Sequence, residues 1–147
     1  MANPDSVGQN TQDSFGNYKV AVAGPVALTA TGNAVVALPF LKGGQGGTGS
    51  IIVRRITVNN LSNTVAGGAA PNAALGNVSI GLTNDGANLV ASNTLLTNLT
   101  AANTFVDLTL AAAASYTSYT ANALFLNVTT SVANAQVWVS VFGDVQF

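Results

Sequence analysis

Gln136-Val137-Trp138-Val139-Ser140-Val141-Phe142 decides the fold of this 147-residue chain. Successive side chains of an extended strand point to opposite faces. Val137, Val139 and Val141 therefore share one face, and Trp138 and Phe142 share the other. β-Branched and aromatic residues suit that conformation. The stretch predicts a strand with a valine face and an aromatic face opposite, and Trp138 in such a valine-rich strand is expected to pack in a core or an interface.

The same period of two recurs through the chain. Ala123 to Thr129 places Leu124, Leu126 and Val128 together. Thr104 to Leu110 does so with Val106, Leu108 and Leu110, and Val78, Ile80 and Leu82 form another face. Ile51 to Asn59 is the strongest strand of the first half. Tyr18, Val20 and Val22 alternate, as do Val26, Leu28 and Ala30, and Gly32-Asn33 predicts a two-residue hairpin turn before Ala34, Val36 and Leu38. Pro39 is expected to end that strand. Leu95, Leu96 and Leu99 suit either one helical turn or plugs contributed by a loop. Ala111 to Ala114 is too short to stand as a helix. Lys42 to Ser50 and Ser62 to Gly76 are expected to be loops, and Asn84-Asp85-Gly86 a turn. About eight strands and no amphipathic helix predict a single all-β domain over 18–147, an antiparallel β-sandwich of jelly-roll type. Residues 1–17, with isolated Val7 and Phe15, are expected to form an extended N-terminal arm.

Composition narrows the chemistry. The charged residues are Lys19, Lys42, Arg54 and Arg55 against Asp5, Asp13, Asp85, Asp107 and Asp144, for a net charge of −1. There is no Glu, His or Cys. Without histidine there is no side chain that ordinarily titrates near neutral pH, and no Lys stands in a recognisable nucleophile context, so an enzyme is not expected. Four cations cannot build the basic patch that nucleic acid requires. No run approaches the roughly 20 apolar residues of a membrane-spanning helix. The polar start lacks the basic and apolar regions of a signal peptide, so synthesis in a cytosol-like compartment is expected.

Several motifs have simpler explanations than binding. Gly44-Gln45-Gly46-Gly47-Thr48-Gly49 matches the dinucleotide pattern but runs into Ile51-Ile52-Val53, a strand, where a phosphate site needs a helix. Asn84-Asp85-Gly86 supplies too few oxygens for calcium. The four Asn-x-Ser/Thr triplets are no more than an Asn- and Thr-rich chain produces by chance. No cofactor and no metal is expected. Trp138, Tyr116, Tyr119 and the phenylalanines could form a sugar-stacking platform, the basis of an alternative reading as a carbohydrate- or receptor-binding module of a phage fibre or tail. Arg54 and Arg55 occupy adjacent strand positions, so both escape the core only if a bulge intervenes. They are read either as edge-strand guards against aggregation or as cations that cross a subunit boundary to an Asp.

Val53-Arg54-Arg55-Ile56-Thr57-Val58-Asn59, then Asn77-Val78-Ser79-Ile80-Gly81-Leu82 and its Gly/Asn/Asp turn, form a characteristic order. Phe105-Val106-Asp107-Leu108-Thr109-Leu110 follows, then Ala123-Leu124-Phe125-Leu126-Asn127-Val128-Thr129 and Val137-Trp138-Val139-Ser140-Val141-Phe142-Gly143-Asp144. This succession, over roughly residues 50–147, resembles the small capsid decoration, or cement, proteins of tailed bacteriophages. The resemblance implies a jelly-roll-like sandwich, often a homotrimer, on the outside of the virion over junctions between major capsid proteins. It implies no catalytic residue. Such a protein would be made in the host cytoplasm, and its arm and loops would grip the capsid lattice. The contact residues expected are Val7, Phe15, Arg54, Arg55 and Trp138.

Overall fold

A computed structural model describes residues 19–38, 50–60, 73–101, 104–133 and 135–146. The arm with Val7 and Phe15, the glycine-rich loop with Lys42, and most of the 62–76 loop lie outside the described residues. Among the described residues eight strands are formed: β1 (Lys19–Ala27), β2 (Gly32–Ala37), β3 (Ser50–Asn60), β4 (Asn77–Gly81), β5 (Val90–Leu95), β6 (Thr104–Leu108), β7 (Ala123–Thr130) and β8 (Gln136–Gln146). They make two four-stranded antiparallel sheets, a first sheet ordered β1-β8-β3-β6 and a second ordered β2-β7-β4-β5. The chain is an all-β, single-domain antiparallel β-sandwich. β1 pairs with β8, β2 with β7, β3 with β6 and β4 with β5.

The valine face of β8 is the one that turns inward. Val137, Val139 and Val141 are fully buried, and so are Leu124 and Leu126 on β7. Between the sheets these residues meet Ile51, Val53, Ile56 and Val58 of β3 and Val78 and Ile80 of β4. Inward faces of two sheets packed about 10 Å apart interdigitate in this way. Each large aliphatic side chain so buried contributes roughly 1.5–3 kcal/mol relative to exposure.

Several expectations are corrected. Gly32-Asn33 is not a hairpin turn, because β1 and β2 belong to different sheets and Gly32 already pairs with Val128. Residues 28–31 carry the chain across the sandwich instead. Leu28, at that corner, is buried, and its backbone bonds Ala135 O and Val132 N at 2.9 and 2.8 Å. Alternation also fails on β1: Val20 is buried while Val22 is 47% exposed, since register shifts interrupt the β1–β8 ladder. The second shift spans the cis Gly24–Pro25 peptide. Residues 90–95 form the edge strand β5, and Leu96 and Leu99 beyond it are fully buried loop plugs, whereas Leu95 is exposed. β6 ends at Leu108, and Leu110 forms an isolated bridge with Val90. The segment from Ala111 to Ala114 turns, with Ala114 buried and bonded to Ala111 O at 2.8 Å.

Candidate functional site

The outward face of the first sheet is assembled from the register. Lys19 on β1 lies opposite Phe142 on β8, which lies opposite Arg55 on β3. The next row is Val22, Ser140, Thr57 and Asp107. A third joins Trp138, Asn59 and Phe105. One outward surface thus holds an aromatic side chain from β6 and two from β8, flanked by two cations. Phe105 is 60% exposed.

A bulge makes the Arg54-Arg55 pair possible. The β3–β8 register shifts between Val53, opposite Gly143, and Arg55, opposite Phe142. Arg54 is the extra residue, and neither arginine enters the core although Val53 and Ile56 on either side are fully buried. β3 lies between β8 and β6, but its ladder with β6 covers only Ile56 to Asn60, so the arginines stand just beyond the end of β6. Arg54 turns to its own chain: Nε donates to Asp144 Oδ2 at 2.7 Å, and Nη1 donates to the Ser115 carbonyl. Arg55 instead stacks on Phe142, its guanidinium carbon 4.2 Å from the ring centroid. Lys19 Nζ is 5.7 Å from the same centroid. Each cation–π contact at a partly exposed site contributes roughly 0.5–1 kcal/mol. Arg55 Nε is buried and has no hydrogen-bond partner among the described residues.

Trp138 is half-buried because Gly24 passes beneath it. A Cβ on Gly24 would stand 2.6 Å from the indole. Asp107 accepts a hydrogen bond from Thr57 Oγ1 across the β3–β6 ladder. Beside this edge, Asn98, Thr104, Phe105, Val106 and Asp107 line an open depression.

The second sheet presents a different outer face. Its 83–86 turn folds back over β4, so that Ser79 is buried and its hydroxyl donates to Gly86 O at 3.1 Å. Asn33 Nδ2 donates to Asp85 Oδ1, and Asp85 N donates to Asn33 Oδ1, both at 2.9 Å. Asp85 is thus engaged by a side chain of β2. Among the described residues no group of three or more His, Cys, Asp or Glu could hold a metal.

The structure brings together Arg55 and Trp138 on one face and turns Arg54 away to Asp144. Of the aromatics expected in a platform, it sets Trp138 with Phe105 and Phe142 on this face and places Tyr119 apart. Tyr119 bridges Ile51 at the start of β3, whereas Trp138 pairs with Asn59 near its end. Eight residues of strand separate them, about 26 Å. Lys19 was not singled out by sequence reading as part of this face. It is brought to Phe142 by strand register, which local sequence does not encode. No protein-family model, no curated protein and no solved structure matches this chain.

Proposed function

We propose that this chain is a structural virion component, a decoration protein that binds the outside of a tailed-phage head over junctions of the major capsid protein and stabilises it. The observation that carries this reading is a sandwich with few charges and with large apolar side chains left outward: Val22, Val35 and Phe105 are 47%, 59% and 60% exposed. These side chains are spread over both sheets, and with so little charge around them they suit cover by another protein. A jelly-roll topology belongs to the same proposal, and the pairing of first strand with last supports it. A homotrimer without cofactor or catalytic activity belongs to the same proposal.

The test is reconstitution. Purified protein is added to phage heads stripped of decoration, and occupancy is measured by cryo-electron microscopy together with head survival on heating. Saturable binding over capsid-protein junctions and a raised disruption temperature are expected. Heads that remain bare at saturating protein overturn the proposal. Light scattering on the free protein is expected to give three chains per particle.

A further inference from the structure

We propose that the free edge of β2 pairs with β2 of a second copy of this chain, antiparallel and about a two-fold axis through Val35. The second sheets of the two copies then become continuous. Among the described residues each sheet leaves two strands at its ends, β1 and β6 in the first and β2 and β5 in the second. An open edge presents a row of unpaired N–H and C=O groups, which natural sandwiches blunt. Three of these edges are blunted. β1 carries Pro25, which has no donor, and its register against β8 shifts twice. β5 shifts register against β4 and holds Asn93 at a φ of 60°. β6 is only five residues long and carries exposed Asp107. β2, Gly-Asn-Ala-Val-Val-Ala, has neither Pro nor charge, and it keeps unbroken register with β7 from Gly32 to Ala37.

The hydrogen-bond phase of β2 fits this pairing. Leu38 N donates to Asn122 O at 2.9 Å, one step beyond the Ala37–Ala123 pair. Opposite residues of an antiparallel ladder alternate between bonded and non-bonded pairs. Ala34 and Val36 therefore exchange bonds with Leu126 and Leu124 of β7, and Asn33, Val35 and Ala37 turn their N–H and C=O groups to the open side. All three of these residues are exposed, Val35 at 59%. A Cβ on neighbouring Gly32 would meet nothing within 4 Å among the described residues. Setting Val35 opposite Val35 places Asn33 opposite Ala37 on both sides of the axis. Each outward-turned N–H and C=O of these residues is then paired. The faces agree as well, because Asn33, Val35 and Ala37 meet only their own outer-face counterparts, and Ala34 and Val36 stay on the inner face. The strand is thus complementary to itself, the requirement of a two-fold contact. A net charge of −1 offers little repulsion. A six-residue edge falls short of the roughly 1,200 Å² of a stable interface. Pairing is therefore a concentration-dependent step, added to any oligomer formed through larger surfaces, and it does not rest on the decoration role.

The chain has no cysteine, so single cysteines placed in the full-length protein report the register. In a hydrogen-bonded antiparallel pair the Cα atoms stand about 5.5 Å apart, within reach of a disulfide. Under mild oxidation Val35→Cys is expected to form a linked dimer about tenfold faster than Leu95→Cys on β5 or Phe105→Cys on β6, since pairing raises the local thiol concentration. Those two controls are similarly exposed, at 51% and 60%. A mixture of Asn33→Cys and Ala37→Cys chains is expected to cross-link faster than either variant alone. Sedimentation of the unmodified chain is expected to show its mass doubling as concentration rises. Val35→Lys sets like charges face to face across the axis and is expected to weaken that step about five- to tenfold. If Val35→Lys does not fold, the cysteine series decides. Cross-linking of Val35→Cys no faster than the controls overturns the proposal. Association indifferent to Val35→Lys also sinks it, by assigning the contact to another surface.

Discussion

At the scale of single residues, the β3–β8 bulge depends on Gly143 as much as on the arginines it exposes. Gly143 faces inward opposite Val53, where a Cβ would stand 2.2 Å from the Ile52 carbonyl oxygen. That oxygen belongs to the backbone and cannot rotate aside. Gly143→Ala must therefore displace one of the two central strands of the first sheet. Overpacking of a closed site costs typically 1–3 kcal/mol, and the broken ladder adds to it. Equilibrium urea unfolding is expected to show a loss at or above the upper end of that range, about 3 kcal/mol. A midpoint unchanged from the parent would mean that the close approach is not maintained in solution. The Arg54–Asp144 pair is a smaller matter. Its side chains are 27% and 18% exposed, so solvent screens it, and Asp144→Asn is expected to remove about 1 kcal/mol or less. That loss should shrink further at high salt, which the same titration reads.

Elements differ in how legible they were, and the difference is physical. β8, β7 and β3 are central strands whose inward residues are almost all Val, Leu or Ile, so period-two alternation identified β8 and β7, and β-branched content identified β3. β5 is an edge strand of Val, Ala, Ser, Asn, Thr and Leu, irregular against β4 and with Asn93 at a φ of 60°. Nothing in such a composition separates it from a loop. Local turn chemistry suggested a hairpin at Gly32-Asn33, but a turn does not say whether its flanking strands share a sheet. The cation–aromatic row at Phe142 was hidden for the same reason: Lys19, Arg55 and Phe142 meet only through the β1–β8 and β3–β8 registers. Leu96 and Leu99 show the opposite case, loop residues whose plug role was one of two readings. Both are fully buried, and Leu99 N bonds Leu96 O at 2.9 Å while its carbonyl accepts from Ala73 N at 2.8 Å. Leu99→Ala removes a core side chain that a short connection cannot replace by collapsing. A loss of about 2–5 kcal/mol is expected, against less than about 0.5 kcal/mol for exposed Leu95→Ala. Similar values for the two would contradict the plug.

For the whole molecule, the pairing of first strand with last governs how it folds. Lys19 meets Phe142, and Ala27 meets Gln136, so the β1–β8 ladder joins the two ends of the described chain. The β2–β7 and β3–β8 ladders are also far apart in sequence. Loop-closure entropy must be met before such contacts stabilise anything. Sandwiches dominated by non-local pairing fold in milliseconds to seconds, slower than helical bundles. One cooperative transition is expected, because the two sheets share a single core and neither can bury its inner face alone. Trp138 is the sole tryptophan and sits on β8, packed over Gly24 of β1. Its emission therefore reports closure of the end-to-end ladder. Stopped-flow refolding followed at Trp138 and by far-ultraviolet circular dichroism is expected to give the same rate by both probes, in the millisecond-to-second range. Val139→Ala on β8 is expected to lower stability and, where β1–β8 closure limits the rate, to slow refolding rather than hasten unfolding. Refolding complete within microseconds, or a sheet signal that recovers well before the tryptophan signal, would show that the ends join after the remainder has already formed.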